Sequence, residues 1–182
     1  MMLPNSKYKL GVQYGLITGV VYIILLFIRY RFTALNPNYI GVIAIISYVV
    51  ILLMFLFTGI MRKKQLGGTG EMKDIFQSIF IAILITELCF VLFNWIYFKF
   101  VDPSFWERLK AASVIMMKKL NMSQVQIEEQ LKGFRDADQL TRPWGLIKGY
   151  GTSIVIDSIF GLLFASILRT KKPANFSEVP KK

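Results

Sequence analysis

The chain has 182 residues, 54% of them hydrophobic, with 22 Lys and Arg against 11 Asp and Glu and no histidine. Imidazole proton relays, Ser-His-Asp triads and His-ligated zinc or haem centres are therefore excluded within it, and its single cysteine, Cys89, cannot close an intramolecular disulfide. The net charge of +11 does not point to nucleic acid, because the basic residues cluster at the ends of apolar runs, where topology determinants and anionic-lipid contacts sit.

Four uncharged or nearly uncharged runs, at residues 10–28, 40–61, 75–98 and 146–168, are each long enough to cross a bilayer. A helix rises about 1.5 Å per residue, so roughly 20 residues cross a hydrocarbon core about 30 Å thick. The first run follows Lys7 and Lys9 like a signal peptide. It is longer than a typical signal core, however, and Arg29-Tyr30-Arg31 follows with no small-x-small cleavage site, so it reads as a retained helix. Within it Gly11, Gly15 and Gly19 form a stripe of small residues at every fourth position. Asn36-Pro37-Asn38 then predicts a tight extramembrane turn, since Pro37 cannot continue a helix.

The second and third runs are joined by a basic and then Gly-rich connection, Arg62-Lys63-Lys64-Gln65-Leu66-Gly67-Gly68-Thr69-Gly70-Glu71. It lacks the spacing and the Lys-Ser/Thr ending of a phosphate-binding loop and reads as a flexible linker. In the third run Cys89 is expected to behave as a small buried apolar residue. The connection that follows contains Ser104-Phe105-Trp106-Glu107 and Ser123-Gln124-Val125-Gln126, two capping-box patterns. Phe105, Leu109, Ala112, Met116 and Leu120 recur at helical spacing after the first, and Ile127, Leu131 and Phe134 after the second, with Asn121 between them. This predicts an amphipathic helical hairpin over 104–140, its apolar stripes resting on the bilayer interface or covering the mouth of the bundle, with a partner-binding groove as the lesser alternative. The fourth run carries Gly145, Gly149, Ser153, Asp157, Gly161 and Ala165 at four-residue spacing, and the two small-residue stripes predict packing of the first span on the fourth or, as the alternative, a homodimer interface.

With the termini inside, the short cytoplasmic segments hold eleven basic residues against two, Arg29 and Arg31, in the first outer loop. Both termini are therefore expected in the cytoplasm. Glu87 and Asp157 lie near the centres of the third and fourth spans, where a charge costs roughly 2.5–3.5 kcal/mol on insertion scales. They are expected to face the bundle interior and approach each other with at least one proton retained. Thr86, Asn94, Thr152, Ser153, Ser158, Thr18 and Tyr22 are the polar neighbours within reach. Such a cluster serves either as a proton or cation site or as an interhelical hydrogen-bond network.

The order of several motifs resembles a known family. These are the Gly11/Gly15/Gly19 opening helix, Gly67-Gly68 before Phe76-Gln77, the aromatic run Tyr97-Phe98-Lys99-Phe100-Val101 into Asp102-Pro103-Ser104-Phe105, and Leu120-Asn121-Met122-Ser123-Gln124-Val125-Gln126-Ile127-Glu128-Glu129. Together they are similar to the four-helix membrane family called domain of unknown function 4199, found mainly in Bacteroidetes. The resemblance implies a bacterial inner-membrane protein and supplies no catalytic residue.

The reading is an all-α polytopic membrane protein forming one membrane domain over 1–182, with four transmembrane helices and the hairpin between the third and fourth. The function expected first is a non-enzymatic accessory or scaffold subunit of a cell-envelope system. Its expected surroundings are the lipid bilayer, with a homo-oligomer or other envelope membrane proteins as partners and no cofactor, metal or nucleic acid. The alternative is a small proton- or cation-coupled transporter using Glu87 and Asp157, with Asn94 and Ser153 beside them. An enzyme, third, would have to draw its acids from the membrane pair or from Asp102, Asp136 and Asp138.

Overall fold

The computed structural model describes residues 6–35, 40–137 and 143–170. They form α1 (Ser6–Leu35), α2 (Ile40–Gln65), α3 (Met72–Ile96) with a π-helical turn (Tyr97–Val101), α4 (Phe105–Lys119), α5 (Gln124–Ala137) and α6 (Pro143–Leu168). The architecture is all-α, and α1, α2, α3 with its π turn, and α6 are long and apolar enough to cross a membrane. Their outward faces carry rows of exposed large apolar side chains, such as Leu16, Val20 and Ile24 on α1 and Val155, Ile159 and Leu163 on α6. Water would not tolerate so extensive an apolar surface, whereas lipid covers it at no cost. The protein is a multi-pass membrane protein.

Nothing between Ile28 and Leu35 breaks a helix, so α1 runs past its apolar segment through Arg29 and Arg31. The turn expected at Asn36-Pro37-Asn38 lies outside the described residues, as do the side chains of Phe134, Arg135 and Asp136 and the segment 138–142.

The packing is organised around α3. An ideal Cβ on Gly11 would meet Ile81 and Ser78, one on Gly15 would meet Ile85 and Ala82, and one on Gly19 would meet Cys89 and Thr86. Each four-residue step along α1 matches a four-residue step along α3, so the two helices run parallel with their backbones close. On the opposite side Gly161 of α6 faces Ile79 and Ile83, while Asp157 lies beside Glu87, so α6 runs antiparallel to α3. The two small-residue stripes therefore pack on α3 rather than on each other, which corrects the expected pairing. A small-residue stripe announces close approach without naming the helix that approaches. The core that results joins Ile51 and Phe55 of α2, Ile75, Ile79, Ala82 and Ile83 of α3, and Ala165 of α6.

The Gly-rich connection is a hydrogen-bonded turn. Gly67 and Gly68 have φ of 69° and 85°. Gly67 donates to the Lys64 carbonyl and Gly68 to the Lys63 carbonyl, closing α2 with the left-handed cap that glycine permits. Thr170, just past α6, then clasps the turn: its hydroxyl donates to the Gly68 carbonyl at 3.1 Å and its N–H to the Gly70 carbonyl at 3.1 Å. The linker expected from its glycines is thus tied at the base of the bundle.

The helical hairpin is present, hinged where Asn121 adopts φ 55°, a conformation asparagine tolerates better than most residues. Its second capping box is formed in both directions. The Ser123 N–H donates to Gln126 Oε1 at 2.9 Å, and the Gln126 N–H to Ser123 Oγ at 3.3 Å. The first is not formed. Ser104 makes no cap bond, because its hydroxyl is engaged by Asp102 and by Arg108, which also pairs with Asp102. That hydrogen bond from Arg108 to Asp102 holds the guanidinium above its ordinary pKa.

Only the first half of the α4 stripe is covered. Phe105 and Leu109 are buried against Leu26, Tyr30, Tyr97 and Phe98, whereas Met116 and Leu120 are exposed. The π turn explains how two consecutive residues both serve this contact. The Asp102 N–H reaches back to the Tyr97 carbonyl at 2.8 Å, and the widened turn brings Tyr97 and Phe98 together onto the core face.

Candidate functional site

Glu87, midway along α3, and Asp157, midway along α6, are 3% and 2% exposed. The antiparallel packing of these helices brings their carboxyls into a hydrogen bond, and Glu87 also bonds Ser153, one turn from Asp157. From the other side Tyr48 of α2 donates its hydroxyl hydrogen to Asp157 Oδ1 at 2.8 Å. A carboxyl–carboxyl contact needs a hydrogen from one member. Asp157 already accepts from Tyr48, so Glu87 is the natural donor. Tyr22 of α1, stacked on Phe90 with ring centroids 5.0 Å apart, lies within the electrostatic reach of both acids. The network thus ties α2, α3 and α6 at mid-depth.

Of the polar neighbours expected around the acids, Ser153 belongs to the network and Tyr22 flanks it. Thr86 instead donates to the Gly15 carbonyl of α1 at 3.2 Å, a bond available because the glycine leaves its backbone uncovered. Thr18 and Thr152 return their hydroxyls to their own helices, at Tyr14 and Lys148. Ser158 Oγ is buried without a hydrogen-bond partner. Tyr48, outside the set of expected neighbours, is the partner that fixes Asp157.

Asn94 does not join the acids. It lies two turns further along α3, donating to the Phe90 carbonyl at 2.7 Å and accepting from the Tyr30 hydroxyl. Tyr30 is the hub of an aromatic cluster, with the rings of Tyr97, Phe98 and Phe105 at 4.8, 5.1 and 5.2 Å. This cluster locks α4 onto the ends of α1 and α3.

Between the cluster and α6 lies a cavity of about 200 Å³ whose wall includes Arg29, Asn94, Trp106, Gly149 and Ser153. Ser153 is shared: it forms part of the cavity wall and bonds Glu87. Gly149 and Gly161 thus play different parts, the first bordering the cavity and the second admitting the Ile79 and Ile83 side chains of α3. Among the described residues, no three of His, Cys, Asp and Glu converge as metal ligands would. Asp102 is committed to Arg108.

No curated protein and no solved structure shows a significant match to the chain. The family described as Protein of unknown function (DUF4199) matches residues 13–170. That match takes in most of α1, all the other membrane-crossing helices and the hairpin, and the chain belongs to this family.

Proposed function

We propose that the chain is a non-enzymatic protein of the bacterial inner membrane, with both termini cytoplasmic, that serves as an accessory or scaffold subunit of a cell-envelope system. One observation carries this reading. The two acids buried in the membrane spend their hydrogen bonds on each other, Tyr48 and Ser153, binding three helices together. The hairpin is the element left for recognition: its base is fixed by Phe105 and Leu109, while Ile115, Met116, Leu120 and Val125 are exposed. An apolar surface at that level suits another envelope protein or a second copy of the chain. A photo-crosslinking residue placed at Leu120 or Val125 in cells should trap a polypeptide whose mass tells these two apart. Adducts with lipid alone at both sites would contradict the reading.

A second reading, a small proton- or cation-coupled transporter, has one specific support. Ser153 links Glu87 to the wall of the cavity, and a hydroxyl so placed offers a proton a step between cavity and acid. Reconstituted vesicles should then pass protons under an imposed gradient, with the flux lost in Asp157→Asn. Flux equal to that of empty vesicles would remove this reading.

A further inference from the structure

We propose that the cavity beneath α4 binds the anionic head of a bilayer phospholipid, with part of an acyl chain along its aromatic wall. Two hydrogen-bond donors in the residues lining it, Arg29 Nε and Trp106 Nε1, are buried without any partner. Other polar groups there are already used: Tyr30 donates to Asn94, and Asn94 to the Phe90 carbonyl. Both orphans are donors and one belongs to a cation, so what they lack is an acceptor that carries negative charge. No carboxylate of the described residues is paired with Arg29, and Asp102, on the segment leading into α4, is taken by Arg108.

The remainder of the wall fits a chain. Phe90, Phe98, Phe105 and Leu146 line it, and about 200 Å³ accommodates a phosphate group with the first part of an acyl tail. The location also fits. Arg29 stands four residues from the end of the α1 span, and Trp106 is the second residue of the helix that follows the α3 span. Arginine and tryptophan at the ends of spans mark the head-group level of a bilayer. A free phosphate would satisfy the donors and leave the aromatic wall bare. A zwitterionic head would bring a second cation towards Arg29.

The test uses the full chain, purified in detergent, stripped of lipid and examined by native mass spectrometry with added lipid. Phosphatidylglycerol is expected to remain bound at one molecule per chain, at least about tenfold more tightly than phosphatidylcholine. Arg29→Gln should weaken that binding at least about tenfold. Trp106→Phe, which keeps an aromatic ring and removes only the N–H, should weaken it about threefold to tenfold. Phosphatidylcholine binding as tightly as phosphatidylglycerol would overturn the proposal. So would wild-type affinity in Arg29→Gln, or displacement of the lipid by an equal concentration of inorganic phosphate. If Arg29→Gln does not fold, Trp106→Phe decides, and unchanged binding there counts against the site.

Discussion

Tyr48 of α2 donates to Asp157 Oδ1 of α6 at 2.8 Å, so a phenol within one apolar span fixes an acid at the centre of another. Through Asp157 the bond extends to Glu87 of α3. Its ring stays packed when the hydroxyl is removed, because Tyr48 also meets Phe160 edge-on at 6.1 Å. Tyr48→Phe therefore isolates the hydrogen bond. It should lower stability by about 0.6–1 kcal/mol, the usual worth of an interhelical bond in a membrane. Detergent melting of Tyr48→Phe, Asp157→Leu and the double variant should show non-additive losses, since each single variant removes the same bond.

The parallel contact of α1 with α3 predicts a strong asymmetry among glycines. A Cβ at Gly15 would lie 2.9 Å from Ile85 Cβ and 3.0 Å from the Ala82 backbone, while one at Gly151 meets nothing within 4 Å. Gly15→Ala should push the helices apart, weaken the Thr86 bond to the Gly15 carbonyl and cost about 1–3 kcal/mol. Gly151→Ala should be neutral or slightly stabilising, because alanine restricts the unfolded chain. Urea or thermal unfolding in detergent distinguishes the two.

Length and hydropathy made the four spans legible, since no other structure buries runs such as 75–98 around a single acid. Asn121 and the Ser123–Gln126 pair were legible as a hinge and a cap for the same kind of reason: their chemistry is local. What was not legible is which helix meets which. Gly11, Gly15 and Gly19 announce a close approach, but Ile81, Ile85 and Cys89 as their partners depend on the three-dimensional packing. Asn94 shares a span with Glu87, but two further helical turns carry it to Tyr30. Tyr48 had a usable signal. A tyrosine inside an apolar span needs a partner for its hydroxyl, and a lone acid on another span is an obvious acceptor. Ser104 shows the opposite failure, a correct pattern defeated by Asp102 and Arg108 competing for the same hydroxyl.

The two capping serines should respond differently to substitution. Ser123→Ala removes a bond to the Gln126 N–H and should cost α5 about 1 kcal/mol, read as faster hydrogen exchange in its first turn. Ser104→Ala removes no cap bond and should leave exchange at the start of α4 nearly unchanged.

The basic residues of the short segments predict which side the hairpin occupies. In a Cys89→Ala background, a cysteine at Lys132 should react with an impermeant thiol reagent applied from outside, while one at Gly68 should react only after lysis. Labelling of Gly68 from outside would invert the topology.

The central claim is that Glu87 and Asp157 hold α2, α3 and α6 together through hydrogen bonds rather than through charge. Thermal melting of Asp157→Asn beside Asp157→Leu tests it most directly. Asparagine keeps the size of the acid, an acceptor for Tyr48 and a donor or acceptor for Glu87. Leucine leaves both partners buried and unsatisfied, at about 1–3 kcal/mol for such a group and nearer 0.6 where the membrane lets it find another partner. The Asn variant should melt close to the native chain and the Leu variant clearly below it. Equal melting of the two variants would contradict the claim and leave Asp157 without a structural role in the bundle.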